Sequence, residues 1–502
     1  MSATRPTVVY IPSRCRRKVA AVAARRAFVA AVVAAVVALC ASAVPSPALA
    51  QSPSSIDAAD LATFVDSLMA AEMAREKTPG AGFVFVQNGR VLLQRGYGLA
   101  NVVRKHRVSP DSTIWRVGSI SKVFTATTVM QLVERGEVDL DAPVDRYVRR
   151  VSIPKTFAEP ITVRQLLDHT GGLDEIRPGT QAPTREEVLP LAEFLETRLA
   201  RVRPPGRTIA YSTYGITLAG EMIEEVTGDS FERVLARMIW EPLGMTRSSI
   251  TVRPELADDV AMGYEINGDS LQPQAWEWYH TTPASSVNAT VADMARFLIA
   301  HLERGAAARK GFLSDRAKDE MQRQQVTMHP SMPGYCLGFG EDFVGGLRVV
   351  EHGGNMAGFS AQLVMIPEAN AGFFLVNHAE GSQIRDTLKW ALLQRYFLRA
   401  RERRPVPTPP PAEQVHAERF AGRYAPLPSC WSCDPVRVSS LLTVAARDDG
   451  TLDFAGGRWI AVDSLRFVRE NGSGYIVFTA DSMGAIGELF AGAFWGWKKL
   501  HD

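Results

Sequence analysis

The chain has 502 residues, 46% of them hydrophobic and 22% charged, with a formal charge of +2; it is too long for one ordinary domain and too apolar for a disordered chain, so two or three folded units are expected. Residues 1–50 hold seven basic side chains and no acid, leaving 49 basic against 54 acidic groups in the body. A mildly acidic body argues against a nucleic-acid partner or a basic membrane-binding face.

Residues 1–50 have the pattern of an export signal: scattered Arg and Lys, an apolar run over 28–44, and a small-residue cleavage site at Ala48-Leu49-Ala50. The run is slightly short of the ~20 residues of a spanning helix. Cleavage before Gln51 is therefore expected, with a retained membrane anchor as the alternative. Arg25-Arg26-Ala27-Phe28-Val29 resembles a twin-arginine signal, which would export the chain already folded. The expected location is periplasmic or secreted, and the membrane enters only through this signal. Cys40 reads as a discarded leader residue. Of the later cysteines, Cys430 and Cys433 enclose Trp431-Ser432 and read as a loop staple or two packed thiols, with Cys336 apart; an oxidising compartment permits pairing among the three.

In the body, apolar residues recur at helical spacing over 56–76 (Leu61, Phe64, Val65, Leu68, Met69), which predicts an amphipathic helix. Strands over 83–87 and 91–95 flank Asn88-Gly89, a dipeptide suited to a two-residue hairpin turn. Residues 119–245 are mostly helical in pattern. Three more strands are expected over 347–351, 360–366 and 372–377, then a helix over 382–398, so strands come from both ends of the unit with helices between. The Pro-rich stretch 403–412 is a semi-rigid spacer. It separates a unit at 51–402 from one at 413–502, where short alternating runs at 441–446, 452–454, 459–462, 465–468, 475–478 and 486–490 predict a small antiparallel barrel.

The chemistry concentrates in three places. Ser119-Ile120-Ser121-Lys122 opens an apolar helical run that Gly136 ends. Three residues apart at the start of a helix, Ser119 and Lys122 share a face and can exchange a proton. A hydroxyl is a poor nucleophile until a base takes its proton, and desolvation at a buried, positive helix end would depress the Lys122 pKa enough for that task. Taken alone, such a pair is common on helices as a cap and a solvated lysine. Tyr211-Ser212-Thr213 after the loop 201–210, and His352-Gly353-Gly354-Asn355 at a strand end, change that reading; small residues in the second would let a substrate backbone lie against the strand.

Together these segments resemble the serine β-lactamase superfamily, in its class C β-lactamase and D-alanyl-D-alanine carboxypeptidase-like branch, which also contains esterases and amidases. The resemblance spans about 56–400 and includes the phrases at 95–101, 166–173, 241–245 and 334–340. It implies an α+β fold, an antiparallel sheet flanked by helices with an all-helical subdomain, and the C-terminal unit resembles the lipocalin-like appendage of some relatives. It implies further that Ser119 is the acylated nucleophile, Lys122 its partner and Tyr211 the second-motif tyrosine. That phenol would need a pKa well below its usual ~10, a shift a cationic Lys122 would supply. Lys122 and Tyr211 are assigned the proton transfers jointly. The backbone N–H groups of Ser119 and Asn355 match oxyanion-hole donors, His352 takes the first place of the third motif, and Thr213, Gly353 and Gly354 are substrate-binding.

Two departures bear on the substrate. Thr213 stands where an Asn amide is usual, and one hydroxyl cannot replace both a donor and a carbonyl acceptor. His352 stands where penicillin-recognising relatives carry lysine, and a neutral imidazole attracts a carboxylate less. Both point away from efficient β-lactam hydrolysis. The expected activity is hydrolysis of an ester, small amide or D-amino-acid peptide through an acyl-Ser119 intermediate, with no cofactor, metal or nucleic-acid partner; the alternative is a penicillin-binding or wall-peptide-sensing protein that acylates without efficient turnover. Trp276, Trp278, Tyr279 and His280 are either pocket wall or packing, and Asp168-His169 is read as structural. Asn288 and Asn471 fit glycosylation acceptors, moot behind a bacterial leader.

Overall fold

The computed structural model describes residues 55–307, 311–330, 332–344, 346–398, 410–428, 430–432, 441–470, 474–493 and 495–500. The expected export signal, most of the Pro-rich spacer, Cys433 and Asn471 lie outside them. Among the described residues no helix is long and apolar enough to cross a membrane.

Helix α1, Ala58–Glu76, starts where the Asp57 side chain accepts from the Ala59 and Asp60 amides and stops at Lys77 in the left-handed region, φ 56°. Its buried face is Leu61, Val65 and Met69, spaced one helical turn apart. Strands β1, Gly80–Gln87, and β2, Arg90–Asn101, follow. Asn88 and Gly89 turn between them with φ of 51° and 72°, the left-handed pair that matches the twist of a hairpin. A short β3, His106–Arg107, adds to β2.

The middle of the unit is helical. Helices α2, Ser121–Glu134, α3, Thr213–Thr227, and α4, Val291–Leu302, are the main segments near the site. The chain then returns to the sheet as β4, Gly340–Val344, β5, Leu347–Met356, β6, Phe359–Ile366, and β7, Ala371–His378, and ends in α5, Ile384–Tyr396. The sheet order is β4-β5-β6-β7-β1-β2-β3. β1 lies antiparallel to β7 with Ala81 opposite Asn377, so strands from opposite ends of the unit are neighbours.

Both faces of the sheet are covered, which is why β1, β6 and β7 are buried at every residue and mostly apolar rather than alternating. Phe83, Phe85, Phe373 and Leu375 pack with Leu61, Val65, Ile384 and Leu388 of α1 and α5. Val84, Val86, Phe374 and Val376 point the other way, into a core with Phe124 and Phe297. Each such side chain contributes about 1.5–3 kcal/mol of hydrophobic stabilisation.

The C-terminal unit is a closed antiparallel barrel of β8, Gly422–Pro426, β9, Leu442–Ala446, β10, Leu452–Phe454, β11, Gly457–Ala461, β12, Arg466–Arg469, β13, Tyr475–Ala480, β14, Ile486–Ala491, and β15, Trp495–Lys499. Tyr424 opposite Lys499 closes it, leaving no sheet edge to pair with another chain. Phe420, Tyr424, Phe467, Phe478 and Leu489 fill its interior.

Candidate active site

The turn that carries Ser119 is built from a conflict that only glycine resolves. Gly118 has φ +55°, and a side chain there would stand 3.1 Å from both the N and the O of Asn355. From the opposite side, a Cβ on Gly354 would fall 2.0 Å from the Val117 carbonyl oxygen. The two glycines let β5 lie directly against the 3₁₀ turn Gly118–Ile120. Gly354 is thus spent on packing the strand under the turn, whereas Gly353 and Asn355 line the cavity. The Ser121 hydroxyl donates to the Gly118 carbonyl (2.6 Å) and accepts from the Val287 amide (2.9 Å), which fixes the turn from below.

Helix α2 begins immediately after this turn and returns Lys122 to Ser119. Lys122 Nζ donates to Ser119 Oγ at 3.2 Å and to the Ala284 carbonyl at 2.9 Å. The side chain is 1% exposed. Burial pushes its ammonium down to about 7, with the Glu175 carboxylate pulling upward and Arg177 adding to the fall.

Tyr211 precedes α3 and hydrogen-bonds Ser119 through its hydroxyl. Its ring lies 4.9 Å from Lys122 Nζ. The lowered phenol pKa expected from a lysine neighbour is not found: burial raises it, the Ser119 bond and Arg177 only partly offsetting that and Glu175 adding to it. The physical reason is that the same desolvation weakens the lysine's own hold on its proton.

Behind Tyr211 lies His169, its ring 4.5 Å from the phenol ring. His169 Nδ1 accepts from the Ser212 amide at 3.2 Å, so Nε2 carries the hydrogen and donates to the Tyr335 hydroxyl at 3.1 Å. The histidine read as structural is therefore the support on which Tyr211 rests. Asp168 beside it accepts from the amide and hydroxyl of Thr170, which shapes the bend.

His352 is buried, donates from Nδ1 to the Gly353 carbonyl at 2.7 Å, and is pushed down to about 3 by burial and by Lys122. It is neutral at physiological pH. Asn355 Oδ1 accepts from Ser360 Oγ (3.1 Å), Arg385 Nη1 (3.1 Å) and the Gly381 amide (3.3 Å), which pins the end of β5. The middle of the strand is held by Lys389 of α5, which pairs with the buried Glu351 at 2.7 Å and with the part-exposed Asp342 of β4 at 2.9 Å. The Thr213 amide donates to Glu175 Oε2 at 2.8 Å.

These elements enclose a cavity of about 910 Å³ that Ser119, Tyr211, Thr213, His352, Gly353 and Asn355 all line. Of the aromatic cluster, Tyr279 is in the wall, and Trp276 carries the Arg116 guanidinium 4.5 Å over its ring. Sequence reasoning missed Glu175, Arg177, Glu277, Glu380 and Arg385, and also Pro428 and Trp495 of the barrel, all of which reach the same cavity. Glu175 lies two residues beyond the phrase 166–173 that carries Asp168 and His169, the one signal that could have found it. Cys430 is disulfide-bonded and Cys336 is free and buried. Among the described residues no group of three or more His, Cys, Asp and Glu could hold a metal ion.

The Beta-lactamase family model matches residues 65–397. Among curated relatives, "Protein flp" of Staphylococcus aureus (strain N315) is 24% identical over 323 residues, 62% of this chain and 62% of that protein. "Penicillin-binding protein 4" of Amycolatopsis lactamdurans is 30% identical over 261 residues, 49% of this chain and 66% of that one. The chain thus spans about 62% of the length of the first of these relatives. Two solved structures share the fold: the octameric penicillin-binding protein homologue from Pyrococcus abyssi, with TM-score 0.57, 24% identity and coverage of 88% of this chain and 100% of the other, and SurE, with TM-score 0.64, 22% identity and coverage of 88% and 99%.

Proposed function

From the premise that the chain belongs to the Beta-lactamase family, we propose that it is a serine hydrolase that cleaves esters, small amides or D-amino-acid peptides through an acyl-Ser119 intermediate. The observation that carries this reading is the buried Lys122 amine on the Ser119 hydroxyl, with a value near neutrality. An amine lowered this far by burial is available in its neutral form near pH 7, which makes it the acceptor for the serine proton.

In the first step Ser119 Oγ bonds to the substrate carbonyl carbon while its proton passes to Lys122 Nζ. The negative charge that forms on the carbonyl oxygen is met by the Ser119 and Asn355 amides. Tyr211, whose raised pKa keeps its proton in place, gives that proton to the leaving oxygen or nitrogen as the carbon–leaving-group bond breaks, and takes another from the Lys122 ammonium. Water then attacks the acyl-enzyme with the same groups acting in reverse. This divides between two residues the task that the resemblance left joint.

The neutral His352 makes a weak anchor for a substrate carboxylate. Arg385 and Arg177 in the cavity wall are the cations that support a D-peptide as substrate, and the cavity volume accommodates a small ester equally. Export to an oxidising compartment is part of the same proposal, supported by the leader and by the Cys430 disulfide.

The reading is tested with purified protein on a short-chain nitrophenyl ester, a D-alanyl dipeptide and a chromogenic cephalosporin. Turnover of the ester or dipeptide by the wild type, lost in Ser119→Ala, is expected. Equal rates for the two proteins overturn it, and a lasting cephalosporin adduct on Ser119 without product transfers the assignment to a penicillin-binding role.

A further inference from the structure

Two adjacent acidic residues face opposite ways between α3 and the barrel. Asp174 is 2% exposed, and its carboxyl oxygens accept three hydrogen bonds from one barrel loop: the Trp431 amide at 2.8 Å, the Ser432 amide at 2.8 Å and the Ser432 hydroxyl at 2.6 Å. Glu175, 5% exposed, turns into the catalytic cavity and accepts from the Thr213 amide at 2.8 Å. One peptide bond therefore joins a barrel anchor to a carboxyl group beside the reactive serine.

The anchor is firmly built. Trp431 Nε1 donates to the Leu427 carbonyl at 2.7 Å, and Arg203 donates to that same carbonyl at 3.1 Å while its guanidinium lies 5.6 Å over the Trp431 ring. Cys430, next to Trp431, is disulfide-bonded. On the catalytic side, the Asp174 amide donates to the Ala200 carbonyl and the Val202 amide to the Gly172 carbonyl. This ribbon ties Asp174 to the 200–203 segment, which leads on to Tyr211.

We infer that Asp174 is a positioning residue through which the C-terminal barrel holds Glu175 against the Thr213 amide beside Ser119, so that the barrel is a working part of the catalytic site. Three geometric facts carry it: a buried acid spends its acceptors on barrel donors, its sequence neighbour accepts from the first amide of the helix that follows Tyr211, and Pro428 and Trp495 of the barrel line the same cavity. A barrel that merely decorated the surface needs none of these. The electrostatics agree in direction, since Glu175 favours the charged form of Lys122. Arg177 is the charge that acts on this pair, lowering both; toward the cavity the pair faces Tyr211, His169 and His352, where Glu175 raises the Tyr211 phenol and Lys122 lowers the two imidazoles.

The inference rests on the hydrolase reading for its kinetic consequence but not for its structural one. The test compares Asp174→Ala, Asp174→Asn and Ser432→Ala with wild type in the full chain. The first measurement is amide hydrogen exchange of the peptide containing Thr213, which needs no turnover. If Asp174 holds Glu175, exchange at Thr213 accelerates in Asp174→Ala and less so in the other two, which keep some of the anchor's bonds. The second is nitrophenyl ester hydrolysis against pH. The expected outcome in Asp174→Ala is a kcat lowered by about tenfold to a hundredfold with KM within about twofold, as for a misplaced catalytic group. The acid limb of the profile moves to lower pH, because a displaced carboxylate no longer favours the ammonium, and Asp174→Asn restores part of both. Unchanged Thr213 exchange together with an unchanged pH limb, in a variant whose barrel anchor is loosened, overturns the inference and leaves a structural anchor only. Should Asp174→Ala fail to fold, Ser432→Ala decides by the same two readouts. A wild type inactive on every ester overturns the hydrolase reading, and the exchange measurement still judges Asp174.

Discussion

Lys122 Nζ stands 3.2 Å from Ser119 Oγ and 2.9 Å from the Ala284 carbonyl, with almost no access to water. An ammonium so placed loses its hydration and keeps one strong acceptor, which brings its pKa to about 7. Activity that needs the neutral amine is low below that value and rises as pH passes through it. The kcat/KM profile for a nitrophenyl ester should therefore have an acid limb near 7, and Lys122→Met should lose about 10²- to 10⁴-fold, the usual worth of a positioned base. A limb near 4 or 5, the carboxylate range, would assign the base elsewhere.

On the proposed mechanism Tyr211 supplies a different proton. Its phenol is held protonated by burial and sits on the Ser119 hydroxyl, so Tyr211→Phe removes a donor to the leaving group. Nitrophenolate departs without help, whereas an alkoxide does not. The variant should lose about 10²-fold or more on an alkyl ester and about tenfold or less on the nitrophenyl ester. Equal losses on both esters would speak against this division of labour.

The middle of β5 depends on Lys389, buried between Glu351 and Asp342. The two carboxylates raise its pKa despite its burial, so it stays charged. Lys389→Met leaves the buried Glu351 without its cation, Asp342 being part-exposed, and should cost about 3–5 kcal/mol of stability, the usual cost of breaking a buried pair. Urea unfolding measures this. A change under about 1 kcal/mol, the range of an exposed pair, would refute the account of a buried Lys389–Glu351 pair.

His301 tests the acid side of stability. It is fully buried, packs against Phe297 and Phe312, and is pushed down to about 3 by burial, Lys318 and Arg304. Thr127 gives its hydroxyl hydrogen to the Val123 carbonyl, so His301 Nε2 is the donor to Thr127 Oγ1 at 3.2 Å. The unfolded chain protonates this residue near pH 6.5 and the folded one does not, so its contribution is complete above 6.5 and falls as pH drops toward 3. The loss is about 1.4 kcal/mol per pH unit. Across pH 6 to 4 the stability of His301→Gln should fall less steeply than that of wild type by that amount. Parallel curves would show that the histidine is protonated in the folded state.

Much of this arrangement was legible from local chemistry. The Asn88-Gly89 turn, the apolar runs of β1, β6 and β7 and the spacing of Ser119 and Lys122 each follow from one short stretch of chain. What was not legible depends on partners distant in sequence. Gly354 reads as room for a substrate until Val117 is seen against it. The Tyr211 phenol reads as lowered by a cation until burial acts on both groups at once. β8 and β15, which close the barrel, carry a terminal proline and a Trp-Gly-Trp run in place of clean alternation, and pairing with each other and with β9 and β14 makes strands of them. Glu175 lies on the loop before α3 and Arg385 in the first turn of α5, and the cavity that unites them is a product of the whole fold.

The central claim is a covalent bond to one oxygen atom. Rapid acid quenching during ester turnover, followed by intact-mass measurement and peptide mapping, reads it directly. The account predicts a transient gain of one acyl mass confined to the peptide bearing Ser119, absent from Ser119→Ala. Turnover with no adduct at any time, or an adduct that persists in Ser119→Ala, would contradict it.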